Sequence, residues 1–316
     1  MQTATELERL RRMEGGKLAA CVYPHGLYDQ LLWETKLNVF LFSFDDAYCD
    51  IGEASRKPGE LARVTNQLTY VLETPAAAAF HAEPFAVAVR ELRRELDGFA
   101  TPTQVTRWVH TFSAYLHRQT LHAAYREREE FPPFDDFFAA RLDTSGSKSL
   151  GSQGDIIEGF EVPLGEWRHP EVQAVVDACG ATVAITNDLF SYNEERQEKR
   201  EWVHNLVELF AAYYRCSRQD AALKTVVEYE KVIRAYLALR ERIQRWGSPE
   251  LNRYVDLCGH WPRANHDWAI TSARYNQVRT PGFPVEPAAE SLWATQRLER
   301  SQLSPIQWWW DLLEGE

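Results

Sequence analysis

Apolar residues recur at helical spacing through most of the 316-residue chain, and this pattern constrains the fold more than any other feature. Few stretches alternate as β-branched strands do, and no hairpin signals occur. We therefore predict an all-α fold, a helical bundle in one domain. The predicted helices span roughly residues 28–53, 58–73, 76–97, 102–129, 133–142, 170–199, 203–215, 217–246 and 248–277.

Prolines and glycines separate the predicted helices, and most of these breaks are short. Residues 144–154 are the exception, because this stretch is longer and rich in Ser and Gly, which predicts either a mobile loop or a plain surface connection. Without a repeat or a convincing linker, we predict one α-helical domain over residues 1–280 and a Pro-interrupted, Trp-rich tail over residues 281–316. Three adjacent tryptophans at 308–310 are costly to leave in water, so we expect the tail to dock on the body, on a lid or on a partner.

The composition narrows the classes of function. A hydrophobic content of 45% supports a large core, and a net charge of -11 argues against nucleic acid as a partner. The five cysteines are scattered without a CxxC pair, and the charged N-terminal stretch lacks the apolar segment of a signal peptide. No stretch has the ~20 apolar residues of a membrane span. We predict a soluble, cytoplasmic protein without stable membrane insertion. Because the chain is acidic, it would need a bound cation in order to bind an anionic ligand.

An acidic run follows the apolar segment at residues 39–44. Within a predicted helix, Asp46 and Asp50 are i and i+4 neighbours, and Asp45 lies beside them. Three adjacent carboxylates repel one another, and hard divalent cations relieve such repulsion through oxygen ligation. A solvated acidic patch or an aspartate-capped helix end is the structural alternative, because short acidic runs are common.

A second polar group lies late in the predicted helix at residues 170–199. Asn187, Ser191 and Glu195 recur at intervals of four, so their oxygens fall along one stripe of the helix. An amide, a hydroxyl and a carboxylate can together ligate one magnesium ion. The same spacing also occurs on an exposed polar helical face, and the second group alone leaves that alternative open.

Together these segments resemble the class I terpene synthases, in which an aspartate-rich motif and an NDxxSxxxE motif face each other across a helical bundle. Arg141 precedes Asn187 by 46 positions (187 minus 141), the placement of the family's diphosphate-sensing arginine, and residues 142–146 resemble the family's helix break. Residues 261–268, with Trp261 and Trp268, look like the family's final helix, and Arg274-Tyr275 like its Arg-Tyr pair. The resemblance spans roughly residues 30–277.

The resemblance implies the roles of the site residues. Three Mg²⁺ ions are expected with bound diphosphate, two on the aspartate-rich motif and the third on the second motif. Hydrogen bonds to the diphosphate are assigned to Arg141, Arg274 and Tyr275. The metal ligands implied are Asp45, Asp46, Asp50, Asn187, Ser191 and Glu195, and the substrate pocket is assigned to Phe42, Thr144, Ser145, Trp261 and Trp268.

This chain departs from the family pattern at two points. The residue before the last glutamate of the second motif is usually basic in the family, but here it is Glu194. The corresponding diphosphate contact is then either missing or supplied from Arg196, Lys199 or Arg200. The first motif has the spacing DDxxxD instead of DDxxD, a variation that the family tolerates.

The resulting prediction is a magnesium-dependent class I terpene synthase, a carbon-oxygen lyase that ionises a linear prenyl diphosphate and cyclises or rearranges the carbocation. Farnesyl diphosphate is favoured because it is the commonest substrate among relatives of this size, while geranyl and geranylgeranyl diphosphate stay open. One alternative is a chain-elongating trans-prenyltransferase, which should carry a second aspartate-rich motif in place of the Asn, Ser and Glu stripe. The other is a non-catalytic all-α binding protein. The expected partners are the prenyl diphosphate and, as an option, a second copy of the chain.

Overall fold

A computed structural model describes residue 8 and residues 10–50, 53–197, 203–275 and 298–315, without the side chains of residues 50, 193, 194, 196 and 197. These ranges contain helices and connections but no β-strand, which confirms the all-α prediction. No helix within them is long and apolar enough to cross a membrane. The α-helices are α1 (Gly15–Val22), α2 (Tyr28–Phe44), α3 (Pro58–Glu73), α4 (Pro84–Leu96), α5 (Pro102–Arg128), α6 (Phe134–Thr144), α7 (Ser147–Gly151), α8 (Gly154–Ile157), α9 (Leu164–Trp167), α10 (Pro170–Gln197), α11 (Leu206–Tyr214), α12 (Arg218–Ile243), α13 (Pro249–Cys258), α14 (His260–Ala269) and α15 (Trp308–Glu314).

The helices with strong local signals begin where the sequence predicts. Helix α3 begins at Pro58, since proline suits the first helical turn, where its missing N–H has no intrahelical partner. Helix α5 begins after a capping box in which Thr101 and Gln104 satisfy each other's backbone N–H groups. Signals within a few residues, a proline in one case and a capping box in the other, therefore fix both boundaries.

Two predicted helices differ because of contacts distant in sequence. The helix predicted over residues 76–97 begins only at Pro84, since the guanidinium of Arg90 bonds the carbonyls of Ala77 and Ala79 and holds that segment in turns. The helix predicted over residues 248–277 is divided at Gly259 into α13 and α14. A Cβ atom on Gly259 would lie 2.5 Å from the Tyr236 hydroxyl, so the close approach of α12 requires glycine there.

Residues 144–154 form neither the mobile loop nor the surface connection that their composition predicted. They contain the short helix α7, and most of their side chains are buried against α5, α6 and α10. The left-handed Gly146, with φ of 76°, makes the turn into α7, and the Ser147 hydroxyl donates to the carbonyl of Gly180. The small side chains therefore allow close helix packing, and the prediction was wrong because composition alone does not separate this role from solvent exposure.

The end of the tail packs on the body of the protein. Trp309 and Trp310 are fully buried in the main core, and α15 contacts α10 and α12. The Arg242 guanidinium donates to the carbonyl of Leu312 over 2.8 Å, and the Ser301 hydroxyl donates to Glu228. Of the three destinations expected for the tail, the structure shows docking on the body.

One feature of α2 positions the first acidic segment. At Phe44 the α-helix ends and the chain continues as a π-helical turn over Asp45–Asp50. Such π-helical turns are rare and occur frequently at functional sites. The turn lies at the end of a buried helix that carries Leu37, Leu41 and Phe44 into the core. The carboxylates therefore follow a rigidly packed element.

Candidate active site

A cavity of about 730 Å³ lies between α2, α5, α6, α10 and α14. The charged lining residues Asp45, Asp46 and Arg274 follow the ends of α2 and α14, whereas uncharged lining residues lie within these helices, so the cavity has two ends. The polar end consists of Asp45, Asp46, Arg141, Asn187, Asp188, Ser191, Glu195, Arg274 and Tyr275, and the apolar end of Leu18, Asn38, Leu41, Phe42, Leu150, Asn265 and Trp268. Of the predicted site residues, Phe42, Asp45, Asp46, Arg141, Thr144, Ser145, Asn187, Ser191, Glu195, Trp268, Arg274 and Tyr275 all line this cavity.

Arg274 joins the two ends of the described site. Its Nη2 lies 3.1 Å from Asp45 Oδ2, and its Nη1 lies 3.3 Å from Asp46 Oδ1. The central carbon of this guanidinium, Cζ, lies 4.9 Å from the centre of the Phe42 ring. A positive charge on both carboxylates relieves their mutual repulsion. The structure therefore brings together the first and the last of the sequence motifs, which are 229 residues apart.

Arg141 is held by the second motif. Its Nε and Nη2 donate to Asp188 Oδ1 over 2.9 Å and 2.6 Å, and its Nη2 also donates to Asn187 Oδ1 over 2.6 Å. Burial opposes the charge of the guanidinium, but the negative charge of Asp188 and its hydrogen bonds prevail and raise the pKa of Arg141. The arginine is therefore a fixed cation in the polar end of the cavity.

Asp188 is a positioning residue to which the sequence reasoning assigned no role. Besides Arg141, its Oδ2 accepts a hydrogen bond from the backbone N–H of Leu206 over 2.9 Å. Its backbone carbonyl accepts from Asn205 Nδ2, and that amide also donates to Glu195 over 3.2 Å. The signal that could have revealed Asp188 is its place directly after Asn187 in the second motif.

Tyr275 completes the hydrogen bonding of Asn187. The Asn187 amide donates through Nδ2 to the Tyr275 hydroxyl over 2.5 Å while its Oδ1 accepts from Arg141. Burial raises the pKa of Tyr275 to about 12. The phenol consequently keeps its proton at neutral pH and can donate it in a hydrogen bond.

The stripe on α10 includes a hydroxyl that the protein leaves without a partner. Ser191 Oγ is buried, and no residue in the described part of the chain makes a hydrogen bond to it. A buried polar group of this kind costs roughly 1 to 3 kcal/mol unless something binds it. Ser191 lies between Asn187 and Glu195 on the same face, and all three are oxygen donors of the type that magnesium prefers. The donor set therefore fits a magnesium ion.

Within the described residues, no group of three or more His, Cys, Asp or Glu side chains could hold a metal ion. The stripe on α10 is a different kind of donor set, because it combines one carboxylate with an amide and a hydroxyl. On the other wall, Asp45 and Asp46 are described. The side chain of Asp50 lies outside the described set, as do the side chains of Glu194, Arg196, Lys199 and Arg200.

Trp261 is the predicted pocket residue that the structure places elsewhere. Its buried ring packs on Gly151, where a Cβ atom would come within 2.0 Å of the ring, and it is absent from the cavity lining. Trp261 precedes Trp268 by seven positions and therefore shares its helical stripe, but it lies two turns further from Arg274. Its assignment to the pocket was wrong because the pattern gives the face of a residue and not its depth.

Two histidines, the buried His122 and the half-buried His204, also line the cavity, and no motif pointed to them. His122 Nε2 lies 3.3 Å from Thr144 Oγ1, and burial lowers its pKa well below the ordinary value. Burial, together with the charge of Arg126, lowers the pKa of His204 to about 3. Both rings are therefore neutral at physiological pH. They reach the cavity from α5 and from the segment before α11, which only the tertiary fold brings together.

Comparisons with known proteins identify the family. The sequence family described as "Terpene synthase family 2, C-terminal metal binding" matches residues 36–235 of this chain. Germacradien-6-ol synthase of Streptomyces pratensis is 33% identical over 308 residues, 97% of this chain and 86% of the relative. The 4-epi-cubebol synthase of Streptosporangium roseum, "(2E,6E)-farnesyl diphosphate cyclizing", is 30% identical over 88% of this chain and 83% of the relative.

Solved structures agree on the fold. The SVS_A2 protein from ancestral sequence reconstruction superposes with a TM-score of 0.82 at 25% identity, covering 99% of this chain and 90% of that one. The 2-methylisoborneol synthase from Streptomyces coelicolor A3(2), in complex with Mg²⁺ and 2-fluoroneryl diphosphate, gives a TM-score of 0.80 at 20% identity over 89% of this chain and 88% of that one. The chain therefore belongs to the metal-binding terpene synthase family 2 and is a class I terpene synthase, as its motifs predicted.

Proposed function

We propose that this chain uses magnesium to ionise farnesyl diphosphate and cyclises the resulting carbocation to a sesquiterpene, with release of diphosphate. The observation that carries the proposal is the meeting of two oxygen-rich walls and two arginines at one end of a cavity whose other end is apolar. Such a cavity matches a substrate with a charged head and a hydrocarbon tail. The names of two relatives, the 4-epi-cubebol and (+)-T-muurolol synthases, specify cyclisation of (2E,6E)-farnesyl diphosphate.

The two walls have the donors for the metal. Asp45 and Asp46, together with Asp50, would hold two Mg²⁺ ions, and the stripe on α10 would hold a third. The unpartnered hydroxyl of Ser191 supports the stripe as a ligand set. Bound magnesium would stabilise the negative charge that develops on the departing diphosphate. The count of three ions comes from the family resemblance.

The chain's own donors would bind the diphosphate. Arg141 and Arg274 present planar guanidinium groups that suit phosphate oxygens, and Tyr275 retains its proton for a hydrogen bond. Arg274 is engaged by Asp45 and Asp46 in this structure. Cations bound to those carboxylates would compete with the guanidinium and turn its hydrogen bonds toward the diphosphate. Arg141, by contrast, is held by Asp188, which is not a proposed ligand.

Aromatic rings form one wall of the apolar end. Phe42 and Trp268 stack with ring centres 5.4 Å apart, and Tyr275 packs edge-on against Trp268 at 5.6 Å. A cation near an aromatic face gains about 0.5 to 2 kcal/mol without meeting a nucleophile. This wall would stabilise the carbocation while its bulk excludes solvent from the cavity.

The proposal is tested by supplying substrates of different length. Purified protein is incubated with geranyl, farnesyl or geranylgeranyl diphosphate, with Mg²⁺ or with EDTA, and both released diphosphate and volatile products are measured. We expect turnover that requires magnesium and is fastest with farnesyl diphosphate. Faster turnover of another chain length would contradict the substrate assignment, and no diphosphate release from any of them would contradict the catalytic proposal.

Chain elongation is the competing enzymatic function, and the second wall disfavours it. Where an elongating enzyme should carry a second aspartate-rich motif, α10 carries Asn187 and Ser191. Addition of isopentenyl diphosphate to the same reactions distinguishes the two functions, because an elongating enzyme would form a longer prenyl diphosphate. The homodimer and the cytoplasmic location stay predictions of the sequence.

A further inference from the structure

Asn38 is a polar residue in the apolar end of the cavity. Its side chain is 2% exposed, and it stands on α2 one turn before Phe42. Apart from Asn265, the other members of the apolar end are hydrocarbon or aromatic side chains. Placing an amide in such surroundings costs roughly 1 to 3 kcal/mol unless its hydrogen bonds are satisfied.

The amide orientation of Asn38 is fixed by Glu34, one turn earlier on α2. Its Nδ2 donates to Glu34 Oε1 over 3.2 Å, and the other carboxyl oxygen of Glu34 accepts from Gln153 Nε2. All three side chains are buried. Because the NH₂ group is turned toward Glu34, Oδ1 is the acceptor atom of Asn38 that remains for the cavity. Donation to an acidic group also polarises the amide and makes Oδ1 a stronger acceptor.

A second amide lies at the same depth. Phe42 stacks on Trp268, and Asp45 bonds Arg274, so α2 and the chain through α14 run in the same direction toward the polar end. Asn38 is one turn before Phe42, and Asn265 is one turn before Trp268. Both amides therefore lie about one turn deeper than the stacked aromatic pair, and both line the cavity.

Asn265 complements Asn38 in its hydrogen-bonding chemistry. Its Nδ2 is buried and has no hydrogen-bond partner among the residues that the structure describes. Within the same residues, no hydrogen bond reaches Oδ1 of Asn38 either. The wall of the cavity thus contains an amide acceptor on Asn38 and, on Asn265, a buried amide donor without a partner in the described residues. A water molecule satisfies both, since it donates to Oδ1, accepts from Nδ2 and keeps one lone pair free.

We propose that Asn38 and Asn265 hold one water molecule in the apolar end of the cavity and that this water captures the carbocation, so that the product is a terpene alcohol. This inference rests on the proposed function. In the step, a lone pair of the water oxygen forms a C–O bond to the cationic carbon. An O–H bond of the resulting oxonium then breaks, its electrons return to oxygen, and the proton passes to the diphosphate released by ionisation. No oxidant or reductant is required.

The test measures where product oxygen comes from and what controls it. Wild-type protein is incubated with farnesyl diphosphate and Mg²⁺ in ¹⁸O-labelled water, and the alcohol fraction of the volatile products is normalised to released diphosphate. We expect a labelled alcohol as the main product. Asn38→Leu and Asn265→Leu should each lower the alcohol fraction at least tenfold, with hydrocarbons in its place. Asn252→Leu is the matched control, because Asn252 is an amide on α13 outside the cavity, and it should leave the alcohol fraction unchanged.

The outcomes separate this inference from the function on which it rests. Diphosphate release with hydrocarbon products alone would overturn the water site and leave the synthase proposal intact. If both Leu variants form labelled alcohol in the same fraction as the wild type, the role of the amides would be overturned. If Asn38→Leu does not fold, because Glu34 loses one of its two donors, Asn265→Leu decides the question alone. Absence of diphosphate release from the wild type would refute the proposed function, and the inference would fall with it.

Discussion

Replacement of Asp188 by asparagine should destabilise the protein and disable the cavity. The carboxylate of Asp188 is 3% exposed, and its partner Arg141 is 16% exposed. The two carboxylate oxygens accept from Arg141 Nε, from Arg141 Nη2 and from the backbone N–H of Leu206. An asparagine amide has a single acceptor oxygen, so at least one of these donors loses its partner.

The magnitude follows from the burial of the pair. Removing one partner from a buried ion pair costs about 3 to 5 kcal/mol, because the other charge remains without compensation. Asparagine keeps the shape of the side chain and one acceptor, which places the expected loss near the lower bound, about 3 kcal/mol. Diphosphate release should fall by about 100-fold, since Arg141 would no longer be held in place for the substrate.

The assay is urea unfolding followed by circular dichroism at 222 nm, combined with the diphosphate release assay. Glu95→Gln is the control, because the ion pair between Lys36 and Glu95 has the same charges at 47% and 43% exposure. Exposed pairs contribute less than about 1 kcal/mol. Equal unfolding free energies for Asp188→Asn and Glu95→Gln would refute the argument that burial of Asp188 holds Arg141 in place.

Three further predictions concern the tail, pH and metal affinity. Trp310→Ala should lower the free energy of unfolding by about 3 to 5 kcal/mol, because Trp310 is fully buried, and a loss below 1 kcal/mol would mean that the tail is not bound in solution. The pKa of His204 falls from 6.5 to about 3 on folding, so the neutral imidazole stabilises the folded protein above pH 6.5, and this stability is lost as the pH falls. Between pH 6.5 and 5 the free energy of unfolding should fall by about 2 kcal/mol. His204→Leu should flatten this pH dependence, measured by urea unfolding at both pH values. Ser191→Ala should raise the Mg²⁺ concentration needed for half-maximal turnover roughly tenfold without loss of stability, since its hydroxyl has no partner in the described chain; an unchanged Mg²⁺ dependence would remove Ser191 from the ligand set.

Local signals made most of the fold predictable from the sequence. The proline at Pro58 and the capping box of Thr101 and Gln104 each act within a few residues, so the helix starts followed directly. The break at Gly259 was not predictable in this way, because it depends on the approach of Tyr236 from another helix. Residues 144–154 show the same limit, since their burial depends on packing against α10.

The site was predictable where its residues form motifs. Asp45, Arg141, Asn187 and Arg274 lie far apart in sequence, yet their order and spacing matched a family in which they meet, and all four line one cavity. Residues without a motif were not predictable. In the sequence, Asn38 resembles any polar residue on a helix. Its orientation depends on Glu34, and Glu34 is bound in turn by Gln153, which lies 115 positions after Asn38 (153 minus 38).

The central claim is that the two walls of the cavity hold divalent cations around a diphosphate. The most direct measurement is a crystal structure of the protein with Mn²⁺ and inorganic diphosphate, in which anomalous scattering locates each manganese ion. We expect manganese beside Asp45 and a separate manganese among Asn187, Ser191 and Glu195, with diphosphate between them and in contact with Arg141 and Arg274. Diphosphate bound outside this cavity, or manganese away from both walls, would contradict it.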